Sequence, residues 1–449
     1  MNNIKPLILA WWNGTRLWPI SRDSSPKQFA ILKELWGLSL FQLTLKRALK
    51  LAKIEDIYVV ASRENYFHAT TQAQKIGLEI KSSNIIIQPS MKETLPIMSL
   101  AAKKIGSWNI LALASDHLIP DEDEFANIVN SAIPYLSKWI VAFWINPLKV
   151  ETGYGYIEKD YETNKIKLFH EKPNYETAQQ FIKNWFLWNS WIYFFEADFF
   201  FNELEKIDKD FKNLMLSDKT DTQIFDEIKA ISFDNGISEK SQNMYCINMP
   251  IKWTDLWSFD AIWEYVEENN INTNENIINI WDSSNNVVIC QENNKEIALI
   301  DVQDLVIVED EDVLLISKKG STQKVKEAIK KSSKTSGLTQ YRPWWSYSVL
   351  TVWNWFKTKS INVLPGKQLS LQSHNHRSEH WVVAEWTALV TVWEIEKIVP
   401  TGESIYIPLG SKHRLCNPGK INLTVIETQI WAYLEEDDIT RYDDDFGRN

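Results

Sequence analysis

Leu7-Ile-Leu-Ala-Trp-Trp-Asn-Gly-Thr-Arg-Leu-Trp-Pro19 reads as a buried strand ending at Ala10 that runs straight into a loop carrying Gly14 and Arg16. An apolar run too short for a helix, followed by glycine, threonine and arginine, marks a phosphate-cradling loop at the end of a strand in an α/β sheet. Such a cradle needs main-chain N–H groups that can approach an anion closely, so its first positions call for almost no side chain. Trp11 and Trp12 stand there instead.

Outward from this loop, residues 4 to about 265 alternate short apolar runs with amphipathic stretches. Candidate strands are 6–10, 57–61, 85–87, 110–114 and 140–143, with helices expected at 40–51 and 94–104. This alternation predicts an α/β domain with a Rossmann-like mixed sheet over residues 1–268, its informative residues lying in loops after the strand ends. From about 270 the chain turns polar and Asn-rich, then shows short β runs at 286–290, 297–300 and 305–308 and an amphipathic helix near 323–331. No repeat at solenoid spacing is evident. Residues 269–337 therefore read as a β-rich connector closed by the linker Lys331-Ser-Ser-Lys-Thr-Ser-Gly337. Many short strands between Val349 and Tyr433 predict a C-terminal all-β barrel over 338–449.

Composition narrows the function. A chain of 449 residues supports two or three cores. Its net charge of −11, with no basic block, argues against nucleic acid or an anionic membrane as the main partner. The apolar run of the opening Met1 to Ala10 is too short for a signal peptide, and no later run reaches the roughly 18 apolar residues of a membrane span, so a cytoplasmic protein is expected. Cys246, Cys290 and Cys416 are too scattered for a disulfide framework and read as packing residues. Homo-oligomerisation is left open.

Tryptophan and glycine are out of proportion, at 22 and 14 residues. Trp18, Trp188, Trp253, Trp263, Trp344 and Trp381 suit their contexts; the other sixteen fall mostly at turns and loops. Transferring those sixteen to glycine would give 6 and 30, both ordinary totals.

The N-terminal loop, continued to Pro26-Lys27-Gln28, resembles the signature of sugar nucleotidyltransferases and most closely that of mannose-1-phosphate guanylyltransferases, in which Trp11 and Trp12 would be the paired glycines. Transfer of this kind brings a sugar phosphate against the α-phosphate of GTP, and cations are needed to spread the charge. The resemblance implies catalytic roles for Arg16, Lys27 and Lys172. It also implies nucleotide contacts from Ala10, Trp11, Trp12, Asn13, Gly14, Thr15, Arg16, Lys27, Ser115 and Asp116. Ala114-Ser-Asp-His117, Glu151-Thr-Gly-Tyr-Gly-Tyr-Ile157, Glu171-Lys-Pro173, Trp188-Asn-Ser190 and Trp253-Thr-Asp-Leu256 follow in the family's order. By the same likeness Gly153, Glu171 and Asn189 contact the sugar, and Asp116 and Asp255 hold magnesium, a hard cation suited to carboxylate oxygen. Trp144, Trp185, Trp191 and Trp257 again replace family glycines, and Met91-Lys-Glu-Thr-Leu-Pro96 departs from the family's base-contacting loop.

Gly402 to Asn417 fits the second cupin motif, G-x5-P-x-G-x2-H-x3-N, at every fixed position. The first motif is looser, with His374-Asn-His376, Glu379, and Trp386 in the glycine slot. Strand alternation would aim His374 and His376 into the barrel, where His413 and Glu379 complete a site for a divalent transition metal such as Zn2+, Co2+ or Mn2+. His380 is a rival ligand by the same parity. Together with Arg342-Pro-Trp344 and Glu436-Asp-Asp-Ile-Thr-Arg441, these stretches resemble type II phosphomannose isomerases, whose chains carry a guanylyltransferase domain first. The resemblance implies GTP, mannose 1-phosphate and mannose 6-phosphate as substrates, with Arg414 and Lys412 as candidates for the sugar phosphate. Two other readings keep only the transferase with a structural cupin, or only sugar-nucleotide binding if the tryptophans are real. Decay would scatter many replacements rather than one, so a gene that uses UGA for glycine is the expected cause of the tryptophans.

Overall fold

The computed structural model describes residues 3–12, 14, 17–256, 258–269, 277–291, 295–342, 344–430 and 438–443. Asn13, Thr15, Arg16 and Trp257 lie outside the described residues.

The strand of the opening loop, Ile4–Leu9, sits in the middle of a mixed nine-stranded sheet. The order is Met244–Asn248, Ile140–Ile145, Leu187–Glu196, Asn109–Ala114, Ile4–Leu9, Tyr58–Ala61 and Ile85–Ile87. Leu187–Glu196 runs antiparallel to both neighbours, while Ile4–Leu9 is parallel to Asn109–Ala114 and to Tyr58–Ala61. A hairpin of Tyr156–Lys159 and Ile166–His170 extends from the antiparallel strand. Alternate residues feed two cores: Leu7, Leu9 and Ala112 pack on one face, Ile8, Leu111 and Leu113 on the other. Burial on both faces is why these strands read as continuous apolar runs. The helix Leu40–Leu49 starts at a capping box formed by Ser39 and Gln42; Thr94–Ile105 is the second expected helix.

The connector is more regular than its sequence. Ile277 pairs in parallel with Ile297 and Val287 with Val306, so the chain returns above itself after 19 or 20 residues, one coil of a β-helix. The sequence shows no repeat at solenoid spacing although the strands coil in this way. A single return offers no second period to detect. Val287, Ile289, Val306 and Val308 share a core with Leu17 and Ile20 of the signature loop.

The C-terminal part is a pair of antiparallel sheets. Six strands run in the order Thr339–Tyr341, Trp345–Trp353, Phe356–Val363, Leu423–Ile430, Ser378–Glu385 and Ser404–Ile407. Five more run Ile395–Val399, Ala388–Val392, His413–Cys416, Leu371–His374 and Ile439–Asp443. Val363, Trp381, Val390, Leu415 and Val425 fill the space between the sheets.

Six of the tryptophans stand in left-handed backbone. Trp36, Trp185, Trp191, Trp281, Trp386 and Trp393 have φ between 56° and 67°, the left-handed region that bulky L-residues avoid. All six belong to the sixteen that look out of place in sequence, and none to the six that suit their contexts. Trp191 also lies at a register shift in the pairing of Leu187–Glu196 with Ile140–Ile145, between Asn189 and Ile192, where a bulge favours glycine. Trp144 is wholly buried with its indole N–H unpartnered.

Candidate functional site

Two parallel strands deliver the first site. The chain leaves Ile4–Leu9 at Ala10 and leaves Asn109–Ala114 at Ser115, whose N–H donates to Leu9 O at 3.1 Å. Ligands gather at such adjacent strand ends in open α/β sheets. Ala10 is fully buried, and Gln28 Nε2 donates to the carbonyls of Ala10 (3.2 Å) and Trp12 (2.8 Å), tying the end of the signature to its beginning. The Lys27 N–H donates to Gly14 O at 3.3 Å, and a Cβ on Gly14 would meet Lys27 Cβ at 2.8 Å. Gly14 is thus required by close approach.

Lys27 is buried, and its ammonium bonds to Asp116 Oδ2 at 2.9 Å and to the main-chain oxygen of Asp255. Burial pushes the Asp116 carboxyl up, but the Lys27 ammonium, His117 and a backbone hydrogen bond together outweigh it and hold the group below its ordinary value. His117, buried beside it, is pushed down to about 4 by desolvation and stays neutral. Asp255 accepts from the Tyr154 hydroxyl at 2.9 Å. Lys27, Asp116 and Asp255 therefore converge from three distant parts of the chain. Ser115 is buried below them, with its hydroxyl unpartnered.

Trp11 turns its ring into the core, 5% exposed, with Trp12 edge-on against it at 4.9 Å. An indole at these positions would be expected to fill the space the phosphates need; the structure instead buries the Trp11 ring in the core and packs Trp12, half-buried, against the same core.

The residues expected at the sugar are arranged less directly. The Gly153 N–H donates to Glu151 Oε1 at 3.0 Å, and exposed Lys172 pairs with Glu171 at 2.5 Å. Asn189 is buried and committed internally. Its amide donates to Asp234 Oδ1 (2.9 Å) and Tyr193 Oη (3.1 Å), while its oxygen accepts from Trp191 N–H (2.9 Å). Asp234, fully buried, is pushed up to about 7 by desolvation, with Glu171 adding to the rise. Sequence reading missed Asp234 because nothing near it in the chain carries a recognisable motif.

In the barrel, His374, Glu379 and His413 form a cluster whose ligand atoms lie within 4.8 Å of one another. His374 Nε2 is 3.1 Å and His413 Nε2 is 3.6 Å from the Glu379 carboxylate. Both of those imidazole nitrogens are buried without a hydrogen-bond partner, and His413 Nδ1 is fixed by Ser411 O at 2.9 Å. Orphaned imidazole nitrogens facing a carboxylate in a dry interior fit a divalent metal.

Two expected ligands fall away. His376 follows the end of Leu371–His374, in a turn organised by Asp438, which accepts from the main-chain N–H of Asn375 and of His376 (both 3.2 Å). Its side chain is 62% exposed and meets Asp438 at 2.8 Å, so strand parity does not reach it. His380 faces outward to Ser404 at 3.2 Å, because the turn at 375–377 resets the alternation and brings Glu379 inward. Arg414 pairs with Asp443, and Lys412 stands over the Tyr442 ring. Arg342, Lys359 and Arg441 instead line one cavity with His374, Glu427 and Gln429, and buried Arg377 donates to Gln429 at 3.3 Å. Glu427, buried 3.8 Å from Lys359, is pushed up to about 8 by desolvation and by Glu379.

Comparison with known proteins agrees with this architecture. Residues 5–270 match the nucleotidyl transferase family, 275–331 the MannoseP isomerase/GMP-like beta-helix domain, and 329–444 the mannose-6-phosphate isomerase C-terminal family. The chain is 34% identical over its full length to 99% of the mannose-1-phosphate guanylyltransferase of Escherichia coli. It is 35% identical to the xanthan biosynthesis protein XanB of Xanthomonas campestris, with both chains covered completely. With the alginate biosynthesis protein AlgA of Pseudomonas aeruginosa it shares 33% identity, covering 99% of this chain and 97% of that one. Among solved structures, one described as mannose-1-phosphate geranyltransferase from Thermus thermophilus superposes with a TM-score of 0.64 at 22% identity, covering 73% of this chain and 99% of that one, which supports the fold. No described helix is long and apolar enough to cross a membrane. With a mixed-sheet transferase domain, a β-helix coil and a cupin in one chain, this protein is a nucleotidyltransferase of the mannose-1-phosphate guanylyltransferase family that carries the mannose-6-phosphate isomerase C-terminal domain.

Proposed function

We propose that the chain joins mannose 1-phosphate to GTP, releasing pyrophosphate and GDP-mannose, and that its barrel interconverts mannose 6-phosphate and fructose 6-phosphate. The observation that carries the first activity is the meeting of Lys27, Asp116 and Asp255 at adjacent strand ends. Lys27 is held where it can donate to a phosphoryl oxygen, and Asp116 stays ionised beside it. Asp116 and Asp255 would hold magnesium, which when bound neutralises phosphate charge. Arg16 and Lys172 are assigned by resemblance to the transferring phosphate and the sugar phosphate, with Gly153 and Glu171 at the sugar. Asn189 supports that region from below, since its amide is spent on Asp234 and Tyr193.

In the barrel, His374, Glu379 and His413 would hold a divalent transition metal that polarises sugar oxygens. Arg342, Lys359 and Arg441 give the cavity the charge a sugar phosphate needs, in place of Arg414 and Lys412.

These activities require a native loop with glycine at positions 11 and 12. The six left-handed tryptophans support that reading, because each sits in a backbone conformation that glycine adopts freely. UGA decoded as glycine accounts for them together. The experiment is a pair of assays on the full chain: pyrophosphate release from GTP, mannose 1-phosphate and magnesium, and fructose 6-phosphate formation from mannose 6-phosphate before and after chelation. Activity in both supports the proposal; a silent barrel leaves a transferase with a structural cupin, and silence in both leaves a binding protein.

A further inference from the structure

We propose that Arg22 is a positioning residue for nucleotidyl transfer, acting by fastening the segment between Gly14 and Lys27 to the connector and linker of its own chain. The inference rests on the transferase reading.

Arg22 is 3% exposed, inside the signature loop rather than at its nucleotide end. Its Nε donates to Pro19 O at 2.7 Å, closing the loop on itself. Its Nη1 donates to Asp312 Oδ1 (2.9 Å) and Lys334 O (3.3 Å), and its Nη2 to Asp310 O (2.9 Å). The Asp310 carboxylate lies 3.7 Å away. All the partners of the two Nη atoms lie between residues 310 and 334, beyond the matched nucleotidyl transferase region.

The contact is a seam. Trp18 Nε1 donates to Lys334 O at 3.1 Å, Asp23 N–H to Thr335 O at 3.1 Å, and Gly337 N–H to Ser24 Oγ at 3.3 Å. Lys334 completes it through Asp312 at 2.8 Å. Below the seam, Leu17 and Ile20 share a core with Val287, Ile289, Val306 and Val308 of the β-helix coil.

This fastening reaches the chemistry over a short path. Arg22 and Ser25 exchange main-chain hydrogen bonds at 2.9 and 3.0 Å, making a rigid two-residue turn of Asp23 and Ser24. Pro26 and Lys27 follow at once. A turn pinned by a buried forked cation sets where the Lys27 backbone begins, and hence where its ammonium meets Asp116. Lysine at position 22 would keep the charge but could not span the four acceptors.

The test uses the full chain with glycine at positions 11 and 12, and the variants Arg22→Gln, Arg22→Lys and Asp312→Asn. Pyrophosphate kcat is expected to fall about tenfold to a hundredfold in Arg22→Gln and less in Arg22→Lys, with KM for mannose 1-phosphate unchanged. Asp312→Asn should lower kcat in the same direction from the connector side. Hydrogen exchange at the Ser25 and Lys27 amides should quicken in each variant, while the isomerase rate stays level and reports an intact fold. Unchanged kcat in Arg22→Gln, or a fall in kcat with Lys27 exchange unaltered, overturns the proposal. A parent protein that releases no pyrophosphate fails the transferase reading instead, and the exchange measurement still separates the two failures.

Discussion

Lys27 Nζ lies 2.9 Å from Asp116 Oδ2, although 89 residues separate them, and the same ammonium bonds to the backbone of Asp255. One cation thus links the two carboxylate-bearing loops of the transferase site, and each carboxylate has a second fixed neighbour, His117 or Tyr154.

Removing that cation should disable transfer without unfolding the barrel. Lys27→Met is expected to lower kcat for pyrophosphate release about 10²- to 10³-fold, the usual loss for one preorganised donor. Steady-state assays of both activities on one preparation check this, with the isomerase rate as control.

Metal content should distinguish His376 from its neighbours. Elemental analysis after dialysis should find His376→Ala loaded like the parent, because that side chain faces solvent and Asp438. Glu379→Gln and His413→Ala should retain at most about a tenth of the metal and lose the isomerase activity. Equal loss in all three variants would restore His376 as a ligand.

Asp234 makes stability depend on pH. Its folded-state value, pushed up to about 7 from 3.8, means the folded state holds a proton that the unfolded chain releases. The stabilisation is complete below about 4 and drains away as pH rises through 7, with a slope of up to about 1.4 kcal/mol per pH unit. Urea denaturation of the parent and of Asp234→Asn at pH 5 and pH 8 tests it; the variant's midpoint should move less between the two.

Glycine at the left-handed positions should stabilise a chain made with tryptophan. Trp191→Gly and Trp386→Gly are each expected to add about 1 kcal/mol, since left-handed backbone costs L-residues about that much. Trp381→Gly should do the opposite, because its buried indole donates to Glu379 at 3.0 Å. Denaturation midpoints for the three variants decide it.

Much of this was legible in the residues. The parallel strands announced themselves through apolar runs buried on both faces, while Lys27, Asp116 and Asp255 were singled out by family likeness, and the structure brings the three together. Glu379 and His413 could be picked out by spacing, but parity misplaced His376 and His380, because a turn at 375–377 breaks the strand that the argument assumed continuous. Arg22, Asp234, Lys359 and Glu427 stayed hidden for a shared reason. Their partners come from remote segments, and a buried polar group carries no local pattern that announces its partner.

The most direct measurement is pyrophosphate release by two forms of the full chain, one with tryptophan and one with glycine at positions 11 and 12, given GTP, mannose 1-phosphate and magnesium. Steady release with GDP-mannose in equal amount is expected from the glycine form, and a rate at least about a hundredfold lower from the tryptophan form. Equal rates from both, or no release from the glycine form, would contradict it.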